Sequence, residues 1–181
     1  MRIKILAVIA VLASVIFISA SALMPKSIDV LGTTAVNASN ASAEAAPMAA
    51  EFDDYENTIA AMINNYRAEN GINAIAADGL LNEVADIRSQ DLLNRNYFSH
   101  YTPEGTNVFD VMRANGVSFR YAGENLAQSA PASAGTPEGF LNAWINSPTH
   151  RDNILRTQYT KIGVSMVEID SRRVVTTVFT N

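Results

Sequence analysis

The 181-residue sequence predicts an α+β domain, and three observations carry that prediction. Apolar residues recur at helical spacing through the first two thirds of the folded part, and strand-like runs are confined to its end. No repeat and no phosphate-binding glycine pattern interrupts this order. There are no cysteines, so the core is expected to hold by burial alone, without disulfide staples, thiol chemistry or cysteine-ligated metal.

The chain opens on an export pattern. Arg2 and Lys4 precede an unbroken apolar and small-residue run from Ile5 to Ile18, and Ala20-Ser21-Ala22 supplies a small-x-small cleavage site. Residues 1–22 therefore read as a signal peptide and the remainder as destined for the outside of the cytoplasm. An uncleaved anchor is the alternative, since Ile5 to Leu23 nearly spans a bilayer. After cleavage no stable membrane insertion is expected. Residues 23–51, dominated by Ala, Ser, Asn and Thr without periodicity, read as a flexible linker. The folded domain is assigned to 52–181.

Asp53 or Asp54 can cap a first helix with the stripe Tyr55, Ile59, Met62, Ile63 and Tyr66, closed by Asn70-Gly71. A second helix opens after Asp78 through Leu80, Leu81, Val84, Ile87, the long stem of Arg88, and Leu92, and runs out near Asn94 to Asn96. Thr106 or Asn107 caps a short helix through Phe109, Val111 and Met112 that stops at Asn115-Gly116. Thr136-Pro137 is a cap followed by proline at the first helical position, and Phe140, Leu141 and Trp144 form the buried face. Ser147-Pro148 reads as its stop. Ile162, Val164, Met166 and Ile169, a turn at Asp170-Ser171, then Val174, Val175, Thr177, Val178 and Phe179 read as a hairpin.

With 13 Lys and Arg against 18 Asp and Glu, the net charge is -5. An acidic chain without a basic stripe is a poor nucleic-acid binder, and no such partner is expected.

Only two histidines are present. His100 follows Asn96-Tyr97-Phe98-Ser99, and His150 follows Ser147-Pro148-Thr149, each read as lying just past a helix. Gly123-Glu124-Asn125-Leu126 lies between them and reads as a short irregular stretch. Two imidazoles and a carboxylate are standard zinc ligands and also an acid-base set. Their spacing contains no local ligand motif, so the residues alone leave open whether they meet. Trp144 reads as core, and Asn125 and Asn153 as residues that fix loop backbone.

Taken in order, Tyr97-Phe98-Ser99-His100, Gly123-Glu124-Asn125-Leu126, Trp144 to Leu155 and Ile162-Gly163-Val164 resemble the CAP superfamily of cysteine-rich secretory, antigen 5 and pathogenesis-related proteins, in its bacterial SCP-like extracellular branch. The resemblance covers residues 52–181. It implies a three-layer α-β-α sandwich with a central, mostly antiparallel sheet and an open cleft lined by two histidines and two acids. His100, Glu124 and His150 match three of these positions. Ser147 stands where the family's second acid falls, so the tetrad is a triad here.

The resemblance implies a binding module: a small apolar or cell-envelope ligand in a cleft lined by His100, Glu124, His150 and Ser147. His100 and His150 would weakly hold Zn or another divalent metal. The competing expectation is a hydrolase. One version uses metal-activated water with Glu124 as candidate base, and the other uses Ser147 or Ser99 paired with a histidine.

Overall fold

The structure is a computed structural model that describes residues 39–181, with side chains from residue 54. The signal-peptide assignment 1–22 and the linker residues 23–38 lie outside the described residues.

Helix α1 spans Ser39–Glu69. It starts ahead of the expected Asp53/Asp54 cap and overlaps residues 39–51, which the sequence reading placed in the flexible linker. The alanine-rich composition that suggested a spacer is also the composition with the highest helix propensity. Of the expected stripe, Ile59 and Ile63 are fully buried, while Tyr55, Met62 and Tyr66 pack at the edge of the same cluster. Strand β1 (Ala76–Ala77) is followed by α2 (Gly79–Asn94), whose N-cap Asp78 accepts from the Leu81 N–H. Leu80 and Ile87, placed in the α2 stripe by periodicity, are exposed, and the buried face is Leu81, Val84, Ala85, Arg88, Ser89, Leu92 and Leu93. Helix α3 (Val108–Ala114) opens on Asn107, which forms a capping box with Asp110.

Strand β2 (Ala122–Ser129) leads through a 3₁₀ turn (Ala132–Ala134) to α4 (Pro137–Asn146), capped by Thr136. Ser147-Pro148 does end α4, but Pro148 also starts α5 (Pro148–Ile154). Proline at the first helical position has no N–H to lose, so the pair read as a stop is both a stop and a start. Strands β3 (Lys161–Ile169) and β4 (Arg172–Thr180) form the expected hairpin, with Asp170 at φ 57° in the turn.

The sheet order is β1-β3-β4-β2, antiparallel except for the two-residue β1–β3 pairing. Alternate residues of β4 face opposite layers, as period two requires. Val175 and Phe179 pack with α1, α4 and α5, whereas Val174 and Val178 pack against α2 and α3. The three-layer α-β-α sandwich with a mostly antiparallel sheet is therefore present. Two glycines permit its closest approaches. A Cβ on Gly163 would stand 2.1 Å from the Leu81 backbone, and one on Gly123 would stand 2.2 Å from Asn153 Oδ1. Among the described residues, no helix is long and apolar enough to cross a membrane.

Candidate functional site

Glu124 lies within β2, not in the irregular stretch that its sequence suggested. The run Gly123-Glu124-Asn125-Leu126-Ala127 is buried throughout, and two adjacent polar residues inside it hide the alternation by which a strand is recognised. Successive side chains of this edge strand serve opposite faces. Even positions share the α2 layer with Leu126, and odd positions share the α4 and α5 layer with Ala127.

On the α2 side, the Glu124 side chain is 3% exposed and each carboxylate oxygen has a hydrogen-bond partner. Oε1 accepts from Arg88 Nε at 3.0 Å, and Oε2 lies 2.7 Å from His100 Nδ1. The Arg88 side chain is 1% exposed. Its other nitrogens donate to the Tyr97 hydroxyl at 2.9 Å and to the Ser99 carbonyl at 3.0 Å. The Tyr97 hydroxyl donates in turn to Asp91. Burial opposes the Arg88 charge, yet the Glu124 carboxylate and then Tyr97 together outweigh it and hold the guanidinium above its ordinary pKa. Burial, and then the bond to Asp91, push the Tyr97 phenol up.

Arg88 is the residue that sequence reasoning missed. Periodicity alone places it as a long stem in an apolar stripe. The available signal was its position: an arginine on a helix face filled mostly by Leu, Val and Ala needs buried acceptors for its guanidinium, either a carboxylate or backbone carbonyls.

On the other side, His150 belongs to the first turn of α5 rather than to a loop. Its Nδ1 lies 2.9 Å from Ser147 Oγ, and Ser147 occupies the N-cap without bonding the helix backbone. Burial, and then the neighbouring His100, lower the His150 pKa below its ordinary value. Asn125 Nδ2 donates to the His150 carbonyl at 3.1 Å. Asn153 Nδ2 donates to the Glu124 carbonyl at 3.2 Å and to Asn125 Oδ1 at 2.9 Å. The two asparagines thus brace backbone, as their sequence context suggested.

The structure brings His100 onto Glu124 and Ser147 onto His150. Ser99 contributes its carbonyl to Arg88, and its hydroxyl accepts from the Tyr101 N–H at 3.1 Å. A pocket of about 240 Å³ opens beside His100 and Glu124, lined also by Tyr101, Asn107, Val108 and Phe109. His150 and Ser147 are not among its lining residues. Among the described residues, no cluster of three or more His, Cys, Asp or Glu side chains is placed to hold a metal.

Residues 60–180 match the CAP family, described as the cysteine-rich secretory protein family. The uncharacterized protein YkwD of Bacillus subtilis (strain 168) is 38% identical over 117 residues, which cover 65% of this chain and 44% of that protein. An extracellular protein containing an SCP domain from Bacillus anthracis str. Ames is a solved structure with 31% identity and TM-score 0.63. The similarity covers 72% of this chain and 41% of that one. An outer surface protein from Borrelia burgdorferi shares the fold at 24% identity and TM-score 0.62, over 67% of this chain and 88% of that one. The chain thus spans less than half the length of the curated relatives it matches.

Proposed function

Because this chain belongs to the cysteine-rich secretory protein (CAP) family, we propose that it is a binding module acting outside the cytoplasm. It takes a small apolar or cell-envelope ligand in the pocket beside His100, and a divalent cation on His100 and His150. The observation that carries this reading is the set of partners around Glu124: each carboxylate oxygen already accepts a hydrogen bond, Oε1 from Arg88 and Oε2 from His100, so the group serves as a fixed acceptor that holds the His100 ring. The pocket itself pairs apolar and aromatic walls (Tyr101, Val108, Phe109) with a few polar groups (His100, Asn107, Glu124), the usual make-up of a small-molecule site.

The two imidazoles suit a borderline-soft divalent ion such as Zn²⁺. An imidazole whose second nitrogen is hydrogen-bonded to a carboxylate, as His100 is, has a fixed ring orientation. Two nitrogens fall short of the three protein ligands of catalytic zinc sites. The expectation is weak, reversible binding that is lost at acid pH, because a protonated imidazole cannot ligate a cation.

Calorimetric Zn²⁺ titration tests this. Wild type should bind weakly, Ser147→Glu should bind more tightly by adding a carboxylate beside His150, and His150→Ala should not bind. Equal affinities for wild type and His150→Ala would exclude the histidines as ligands.

A second reading, hydrolysis by a Ser147–His150 pair, draws on their 2.9 Å contact. A fluorophosphonate probe that labels Ser147 and depends on His150 would favour it over the binding module. Absence of labelling on folded protein would remove it.

A further inference from the structure

We propose that Arg88 is the positioning residue of this site, holding Glu124 as a fixed acceptor so that neutral His100 is kept in its Nδ1–H tautomer with Nε2 presented to ligand. The proposal rests on the reading of the His100 pocket as the binding site and adds to it the device that sets the chemistry of its polar group.

The geometry carries it. His100 is carried by a loop and is half exposed, with 51% of its side chain open, so packing does not define its ring orientation. Three contacts of one guanidinium supply the definition. Arg88 Nε holds Glu124 Oε1, one terminal nitrogen holds the Tyr97 hydroxyl, and the other holds the Ser99 carbonyl one residue before His100. The same rigid fork therefore grips the carboxylate and the loop that brings the imidazole to it. Planarity and the fixed angle between its donors make arginine, not lysine, able to do this.

The tautomer follows from charge. A carboxylate paired with a buried guanidinium is an acceptor. The nitrogen 2.7 Å from its other oxygen must then donate, and in neutral imidazole the remaining nitrogen carries the lone pair. A lone pair at Nε2 is what a cation or a ligand hydroxyl or amide requires. The opposite tautomer would present an N–H there and turn a cation away. Asp91 completes the support by accepting from Tyr97, whose hydroxyl is left correctly oriented to accept from Arg88.

The test is ¹⁵N NMR of the two histidine rings at pH ~8, where free imidazole is neutral. It uses the metal-free protein in wild-type, Arg88→Lys, Arg88→Met and Glu124→Gln forms. Wild-type His100 should show a single tautomer, protonated at Nδ1 and unprotonated at Nε2. Each variant should give a mixture at His100 and leave the His150 ring signals in place. A wild-type spectrum protonated at Nε2 overturns the proposal without recourse to any variant. So does a folded Arg88→Lys protein with the wild-type His100 signature, which decides the matter if Arg88→Met does not fold. No ligand or metal enters this measurement. A protein that binds neither can still show the locked tautomer, and one that binds can lack it, so the two readings fail separately.

Discussion

Asn125 Nδ2 donates to the backbone carbonyl of His150 at 3.1 Å, tying edge strand β2 to the first turn of α5. Asn153 closes the same join from the helix side, bonding the Glu124 carbonyl and Asn125 Oδ1 while its own oxygen accepts from the Tyr159 hydroxyl at 2.8 Å. The strand that carries Glu124 and the helix that carries His150 are thereby held as one piece, although 25 residues separate Asn125 from His150.

Gly123 lies at the tightest point of this join, so Gly123→Ala should strain it. The added methyl would meet Asn153 Oδ1 at 2.2 Å and the Tyr159 hydroxyl at 2.4 Å. The expected loss is about 1–3 kcal/mol in urea denaturation, as for other overpacked interiors. Gly163→Ala should cost more, because its obstacle is the α2 backbone at Leu81 rather than side chains that can turn. Gly79→Ala meets nothing within 4 Å and is the control, expected to be neutral or to stabilise by up to ~1 kcal/mol.

Arg67 is fully buried and bonds only carbonyls: Ile154 at 2.6 Å, Arg156 at 3.0 Å and Asn73 at 2.9 Å. Ile154 ends α5, so the guanidinium caps the negative end of the His150 helix. Burial lowers the Arg67 pKa. Arg67→Leu should destabilise by roughly 2–4 kcal/mol, since buried carbonyls lose charged donors. Thermal unfolding would report it. A change under 0.5 kcal/mol would mean that water replaces the guanidinium.

The lowered His150 pKa has a defined consequence for stability. Its folded pKa lies below the unfolded value of ~6.5, so between these two values the unfolded chain binds more protons. The His150 contribution is therefore complete above pH ~6.5 and is lost as pH falls through that window. The wild-type denaturation midpoint should drop across the window more steeply than that of His150→Gln. Parallel curves would show that His150 is not the group responsible.

How much of this could be read from the residues varies by element. Caps and helical periodicity located α2, α3 and α4, and the β-branched runs located the hairpin. Helix α5 escaped because Pro148 was weighed as a terminator when proline is equally at home at a helix start. Strand β1 is two residues long, too short for any period. Within the site, His100, Glu124, His150 and Ser147 stood out by residue type and motif order, but what each touches depends on strand parity at Glu124 and Asn125. Arg88 was hidden by its own stem, since a methylene chain at a helical position looks apolar until a carboxylate is found beside its tip.

We propose one binding site in which His100 and His150 take the cation and Glu124 holds the His100 ring. The most direct measurement follows both histidine rings by ¹⁵N NMR during Zn²⁺ titration at pH ~7.5, where free imidazoles are neutral. The Nε2 signals of His100 and His150 should move together along one saturation curve, and His150→Ala should abolish the response at His100. Rings that respond with separate affinities, or a His100 response that survives His150→Ala, would contradict it.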